Sequence, residues 1–334
     1  MWRCRVLDNT AREQRITAWQ RCHVAISRYP QEAALKAMRA ECPDDAAIHS
    51  PVLQEVLARL DKTSQAFFHR LQRGDKAGFL RFQGRDRCHS FTFKQDGNGT
   101  QRENGCLVLA KIGRVAVRWS RPLAGTPKTV TRCKAADGWY VAISCAEVPC
   151  TPLPLTGQET GIDLGLASFA TLTAGSQIAN PRLFRVVEMN LKRAQRRVSR
   201  RKKGSHRRRK AVRLLAKKHL KVKRQRTDFH HTSALVLVQQ SDTISHEALP
   251  TANLLKNHHV AKSSTDAAWS GFLGLLSFTA ADAGKTVGAV PPAYTAQACS
   301  GCGVLVSKGL SVRWHLGPDC GTRLHRDHNA ALNI

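Results

Sequence analysis

The run Gly161-Ile162-Asp163-Leu164-Gly165-Leu166, continuing through Ser168-Phe169-Ala170-Thr171-Leu172-Thr173, limits the fold more than any other part of the chain. It reads as a strand, a glycine-containing bend and a second strand, with Asp163 inside the first. A carboxylate among Ile and Leu is costly to desolvate unless a metal ion, a buried cation or backbone donors pair with it. An Asx-type turn acid at the Gly165 bend is the other reading these residues allow. The remainder of the chain has to decide between them.

Upstream, two kinds of pattern follow one another. Residues Ala11 to about Ala40 read as helix interrupted at Pro30. A second helix has Ser50 as N-cap, Pro51 at its first position and a buried stripe of Leu53, Val56, Leu57, Leu60, Phe67, Phe68 and Leu71, and it ends at Gly74 and Gly78. From Phe79 to Glu147 the period becomes two. Phe91–Phe93, Leu107–Leu109, Val115–Trp119, Lys128–Cys133 and Trp139–Ser144 read as short strands separated by glycines, which suggests a small barrel or sandwich. Pro149, Pro152 and Pro154 then mark a linker. The expected organisation is an N-terminal β-barrel domain over 1–150, with a helical segment at about 11–78, a linker at 151–158, and a second domain over 159–334.

Behind the opening strand pair lies an acid-free segment, Leu191–Arg226, with 19 Lys or Arg in 36 residues. Its apolar residues keep helical spacing: Leu191, Ala194 and Val198 before Gly204-Ser205, and Val212, Leu215 and Val222 after it. This predicts a basic helical hairpin within about 188–228 that follows phosphates without reading sequence. Lys192, Arg193, Arg196, Arg197, Arg200, Arg201, Lys202, Lys203, Arg207, Arg208, Arg209 and Lys210 are its candidate nucleic-acid contacts. The whole chain carries 53 Lys+Arg against 24 Asp+Glu, a net charge of +29 that calls for a polyanionic partner. No apolar run approaches a membrane span and no signal-like segment opens the chain, so a soluble cytoplasmic protein is expected. Of eleven cysteines, eight are scattered singly between Cys4 and Cys150 and read as reduced thiols.

The C-terminal half continues as an α/β pattern. Asp242-Thr243-Ile244 begins a strand that reaches Glu247, Trp269–Leu276 is an apolar helix, and Lys285–Val290 is a buried strand. Asp327 stands at the entrance of a final helix. Asp163, Glu247 and Asp327 on separate elements of one α/β unit would repel one another on convergence unless cations were bound, and a pair of Mg²⁺ ions satisfies them. Glu247 as a surface acid and Asp327 as a helix N-terminal acid are the plainer readings. Cys299-Ser300-Gly301-Cys302-Gly303 reads as a metal knuckle for which zinc is the first choice, a degenerate ribbon held by packing without metal being the other reading. Only Cys320 follows as a third thiol. Gly317 holds the place three residues before it and cannot ligate, which leaves His315 as the nearest substitute.

Together these residues resemble the TnpB family, also called OrfB: insertion-sequence-encoded, RNA-guided DNA nucleases related to type V CRISPR effectors and long labelled transposases. The resemblance rests on GIDLGLASFATLT, SRRKKGSHRRRK, ISHEAL, VPPAYTAQACSGCG and CGTRLHRDHNAALNI, with HSPVLQEVLARLDKTSQAFFHRL and DGWYVAIS upstream. It covers most of the chain. It implies a mixed α/β and all-β multidomain fold: a wedge-type β-barrel with a helical recognition insertion, then a RuvC-like RNase H fold carrying a zinc ribbon at 295–323. It also implies that Asp163, Glu247 and Asp327 are the Mg²⁺-binding catalytic acids and that Cys299, Cys302 and Cys320 belong to the zinc ribbon; His315 as fourth ligand rests on its place near Gly317, not on the resemblance. Guide RNA and target DNA are the implied partners; no protein partner is inferable.

Three departures from the family pattern accompany it. The first barrel strand is missing, the third ribbon cysteine is replaced, and His325 stands where an additional Asp is common. With the chain ending directly after the Asp327 helix, these features predict a truncated copy. The expected function is an RNA-guided, Mg²⁺-dependent DNA endonuclease of a transposable element. The alternatives are a nuclease-inactive RNA-guided repressor and a DDE-type transposase.

Overall fold

The computed structural model describes every residue from Met1 to Ile334 except Arg85, Asp86, Pro250 and Leu310, and of Ala252 the backbone only. The chain forms two compact units, Met1–Pro149 and Cys150–Ile334. Among the described residues no helix is long and apolar enough to cross a membrane.

In the first unit, helices α1 (Trp2–Cys22), α2 (Arg28–Glu41), α3 (Pro43–Ala46) and α4 (Ser50–Gln72) precede strands β1 (Ser90–Phe93), β2 (Thr100–Glu103), β3 (Cys106–Leu109), β4 (Gly113–Ala116), β5 (Thr126–Lys134) and β6 (Trp139–Ala146). Helix begins at Trp2, ahead of the Ala11 expected from composition. The break that follows falls at His23, whose φ of 53° ends α1. Pro30 instead sits in the first turn of α2, where the missing N–H has no intrahelical partner to lose. Leu53, Leu57 and Leu60 of α4 pack on Phe91, Phe93, Leu107, Leu109 and Val130. The strands form two antiparallel three-stranded sheets, β1-β5-β6 and β2-β3-β4. No hydrogen-bonded strand pairing joins these two sheets into the expected closed barrel among the described residues.

The second unit is built on a mixed five-stranded sheet. Its strands are β7 (Glu159–Asp163), β8 (Ser168–Leu172), β9 (Gln177–Ala179), β10 (Thr243–Glu247) and β11 (Thr286–Val290), in the spatial order β11-β10-β7-β8-β9. β7 pairs antiparallel with β8 and parallel with β10, so the chain returns to the sheet only after a long helical excursion. That excursion is α5 (Leu183–Ser199) and α6 (His206–Gln240). After β10 come α7 (Thr251–Lys256), α8 (Ala261–Ala267) and α9 (Trp269–Asp282), and after β11 a strand pair, β12 (Trp314–Leu316) with β13 (Arg323–His325), leads into α10 (Arg326–Asn333). Ile162, Phe169, Ala170, Leu237, Val238, Ile244, Phe272 and Leu276 form the core between sheet and helices.

Residues expected as a free linker are fastened to this unit. Leu153 N–H donates to Ala283 O at 3.0 Å, and the Lys285 ammonium donates to Pro154 O at 2.8 Å. The Asp242 carboxylate accepts the N–H groups of Thr156 and Gly157 and pairs with Lys285. These donors hold its carboxyl far below the usual range, the Lys285 ammonium contributing most.

Gly161 decides how closely α10 approaches the sheet. A Cβ there would overlap the Ala331 carbonyl oxygen and stand 3.2 Å from Ile334. The Thr173 hydroxyl bridges the junction, accepting Gly161 N–H at 2.7 Å and donating to Ala331 O at 3.2 Å. Gly161→Ala is expected to lower the stability of the second unit by about 1–3 kcal/mol, because backbone cannot yield as a flexible side chain does. Gly288→Ala in β11, where a Cβ meets nothing within 4 Å, is the control. Urea unfolding of both variants checks this; equal midpoints would refute the close-approach argument.

Candidate active site and nucleic-acid interface

Strand register brings the first two acids together. In the parallel pair β7–β10, Ile162 stands opposite His246. The next residues, Asp163 and Glu247, are the last of adjacent strands, so their carboxylates leave the same sheet end side by side. Asp327, in the first turn of α10, is brought over this end by the Gly161 contact and by His328, whose Nε2 lies 2.9 Å from Thr173 O. His325, the N-cap, accepts Asp327 N–H through Nδ1 at 3.3 Å. The Thr295 hydroxyl donates to Glu247 Oε1.

All three acids are half-buried. Burial, then the charges of Asp327 and Glu247, push the Asp163 carboxyl up to about 7, with Arg326 opposing. The three groups therefore share one electrostatic field. Hard oxygen donors with unbalanced negative charge fit a hard divalent cation. Among the described residues the carboxylates do not close to a single group within 4.8 Å, as three thiols elsewhere do.

Those thiols are Cys299, Cys302 and Cys320. Cys320 Sγ stands 3.0 Å from Thr322 Oγ1, and the hydroxyl and backbone N–H of Thr322 draw its thiol down to about 7. The donor set fits zinc. His315, the sequence's substitute for the fourth ligand, lies outside the cluster: it is fully buried and its Nδ1 contacts the Lys308 ammonium. The pairing of β12 with β13 places His315 opposite Leu324 on an arm of the second turn. Helix α10 ties the cysteine turn to the acids. Asn329 accepts Ser300 N–H at 3.0 Å and donates to Ala298 O at 2.7 Å, and Asn333 donates to Thr295 O at 2.8 Å.

The basic segment is a helical hairpin, α5 and α6, turning at Gly204-Ser205. Ser205 caps α6 by accepting Arg208 N–H at 3.1 Å. The seam buries Leu191, Ala194 and Val198 as the spacing predicts, but on α6 it is Ala211 that is buried while Val212 is exposed. Leu215 is half-buried and Val222 buried as expected, so only the first seam position of α6 differs. Arg193, Arg196, Arg197, Arg200 and Arg201 line one face. Two of the twelve nominated cations have structural partners: Lys192 pairs with Glu188 at 2.7 Å, and Arg208 donates to Val198 O at 2.6 Å.

Asp266, which sequence reading passed over, anchors this hairpin. It is buried on α8 and accepts Phe184 N–H at 2.9 Å and Arg185 N–H at 3.1 Å, standing in for the cap that α5 lacks. Arg226 of α6 donates to it at 3.3 Å. An acid immediately before an apolar helix start was its only local signal. Asp266→Ala is expected to cost about 1–2 kcal/mol, the value of a lost cap, with faster amide exchange confined to the first turn of α5. Unchanged exchange at Phe184 and Arg185 would remove the anchoring role.

The comparisons with known proteins fit this arrangement. Residues 142–258 match a family described as "Probable transposase" (OrfB_IS605), and residues 269–334 match the Cas12f1-like TNB domain. A Streptomyces pristinaespiralis protein named "Putative RNA-guided DNA endonuclease" is 34% identical over 99% of this chain and 82% of its own length. The chain belongs to the TnpB/OrfB family. A second relative, "Putative RNA-guided DNA endonuclease InsQ" of Escherichia coli strain K12, is 29% identical over 76% of this chain and 65% of its own. The fold is similar to that of Cas12f1 in its complex with sgRNA and target DNA, with a TM-score of 0.63 at 14% identity, covering 99% of this chain and 80% of that one. This TnpB/OrfB member is thus a mixed α/β protein of two units.

Proposed function

We propose that this TnpB/OrfB protein is an RNA-guided, Mg²⁺-dependent DNA endonuclease of a transposable element, acting through Asp163, Glu247 and Asp327 on a RuvC-like, RNase H-type sheet. The observation that carries the reading is the meeting of Asp163 and Glu247 at the ends of adjacent strands with Asp327 in the first turn of α10, where burial first and then the two other acids raise the Asp163 carboxyl. Its 34% identity to a relative named an RNA-guided DNA endonuclease supports it. Bound there, two Mg²⁺ ions would supply an activated water and stabilise the leaving oxygen. Asp163, Glu247 and Asp327 would hold the ions, with the Thr295 hydroxyl orienting Glu247. Target choice then belongs to base pairing with guide RNA, and the hairpin grips backbone without reading bases. The thiol cluster carries structural zinc in a ribbon that braces α10. The protein works in the cytoplasm, on nucleoid DNA.

The test is to express the chain with its flanking genomic DNA, sequence the co-purified RNA, and offer the matching duplex in Mg²⁺. An enriched RNA and cut target are expected. Target bound tightly but left uncut would assign the repressor role instead, joined strands the transposase role, and absence of any enriched RNA would sink the guided reading.

A further inference from the structure

The two halves of the cysteine ribbon are the same turn made twice. In the first, Cys299 N–H donates to Val304 O at 3.0 Å and Cys299 O accepts Gly303 N–H at 2.8 Å. In the second, Gly317 N–H donates to Thr322 O at 2.8 Å and Gly317 O accepts Gly321 N–H at 3.0 Å. The hydrogen bonds have identical spacing, so Gly317 occupies in the second turn the place Cys299 holds in the first, and Cys320 the place of Cys302. Direction agrees with position. A Cβ built on Gly317 points into the thiols, 2.6 Å from Cys320 Sγ and 2.7 Å from Cys299 Sγ. The backbone thus keeps a four-ligand cradle in which one corner bears no side chain.

The other three corners suit a soft cation. Cys299 and Cys320 Sγ lie 3.6 Å apart, close to the ~3.8 Å edge of a tetrahedron with metal–sulfur bonds of about 2.3 Å. Among the described residues no His, Cys, Asp or Glu joins the three thiols as a fourth donor. His315 is held on Lys308, and its buried Nε2, which has no hydrogen-bond partner, lies outside the thiol cluster. Gly317 and Cys299 are buried but Cys320 is exposed, so solvent reaches the cradle at its Cys320 edge.

We propose that the ribbon holds its divalent, thiophilic metal on three protein thiolates only, and that the corner facing Gly317 is filled by an exchangeable small donor from solution. Closed four-ligand sites are inert; a three-ligand site keeps a position at which water and small thiols compete. This extends the structural zinc of the proposed function, and its test reads metal ligation without any cleavage assay, so the two can fail separately.

The experiment uses the full chain loaded with Co²⁺ as a spectroscopic stand-in for zinc. Tetrahedral d–d bands are expected, with thiolate-to-metal charge transfer about three-quarters as intense as in Gly317→Cys, in proportion to three against four sulfurs. Adding 2-mercaptoethanol shifts the wild-type d–d bands and leaves those of Gly317→Cys in place. His315→Phe leaves the wild-type spectrum unchanged. Cys299 and Cys320 are short side chains that turn away from a new Cβ by one bond rotation, and the wild-type titration decides the matter alone should Gly317→Cys not fold. Bands insensitive to added thiol, a spectrum altered by His315→Phe, or no thiolate charge transfer at all would each overturn the proposal.

Discussion

Asp163→Ala is expected to abolish guided cleavage, slowing it by at least about 10³-fold, while the amount and identity of co-purified RNA stay the same. The size follows from losing several kcal/mol of metal-borne stabilisation, each 1.36 kcal/mol being about tenfold in rate. The selectivity follows from position, since Asp163 ends a strand among other acids and a cationic RNA surface lies on different helices. Cleavage rate with a matched guide, measured beside RNA yield, checks both halves; undiminished cutting would remove the mechanism. A pH signature accompanies it. The metal-free carboxyl sits at about 7 instead of its ordinary 3.8. Below that pH an entering cation must displace a proton, so apparent Mg²⁺ affinity falls up to about tenfold per pH unit from 7 toward 5 and levels off above 8. The stability sign is opposite. The folded state binds this proton more tightly than the unfolded chain, so metal-free protein loses stability as pH rises from about 4 to about 7. Asp163→Asn is therefore expected to raise the melting temperature at pH 8 without Mg²⁺, and to leave it unchanged at pH 4.

Replacing Arg196, Arg197, Arg200 and Arg201 together by Gln weakens RNA binding by about 10²–10³-fold at roughly 0.15 M salt. Each phosphate contact contributes about 0.7–0.9 to the slope of log K against log salt, so the slope should also fall by about 3. None of the four is paired with a carboxylate among the described residues, and all four are exposed, so the buried seam of α5 is untouched. Circular dichroism should be unchanged while a salt titration of RNA affinity flattens. An unaltered slope would show that the hairpin does not carry the phosphate contacts. Asp266→Ala, by contrast, should loosen the first turn of α5 without removing a contact, so its salt slope stays near wild type.

Much of the site was legible because its signals are local. The Asp163 run, the acid-free basic stretch, the Ser205 cap and the paired cysteines each lie within a few turns of chain, where strand period, helix period and ligand spacing leave a readable mark. Errors of detail arose close to turns. Behind the Ser205 cap, Ala211 takes the first seam position expected of Val212, while Val222 is buried as expected. Pro30 opened a helix that it was expected to interrupt, because a proline's effect depends on how many turns precede it. The pairing of the first unit's strands into two separate sheets left no local mark at all.

The candidate residues for the chemistry of this TnpB/OrfB protein were named from sequence alone: three acids on separate elements, three thiols of which two have knuckle spacing, and a basic stretch with no acid inside it. Residue type and neighbour spacing are enough for that. Only the tertiary structure decided how they meet. Parallel register between strands some eighty residues apart set Asp163 beside Glu247. The missing side chain of Gly161 let α10 bring Asp327 within reach of their field, Asp266 tied the hairpin down from a distant helix, and a hydrogen bond to Lys308 took His315 out of the metal cradle. These are contacts between residues far apart in the chain, whose energies depend on distance in space and leave no periodic trace along it.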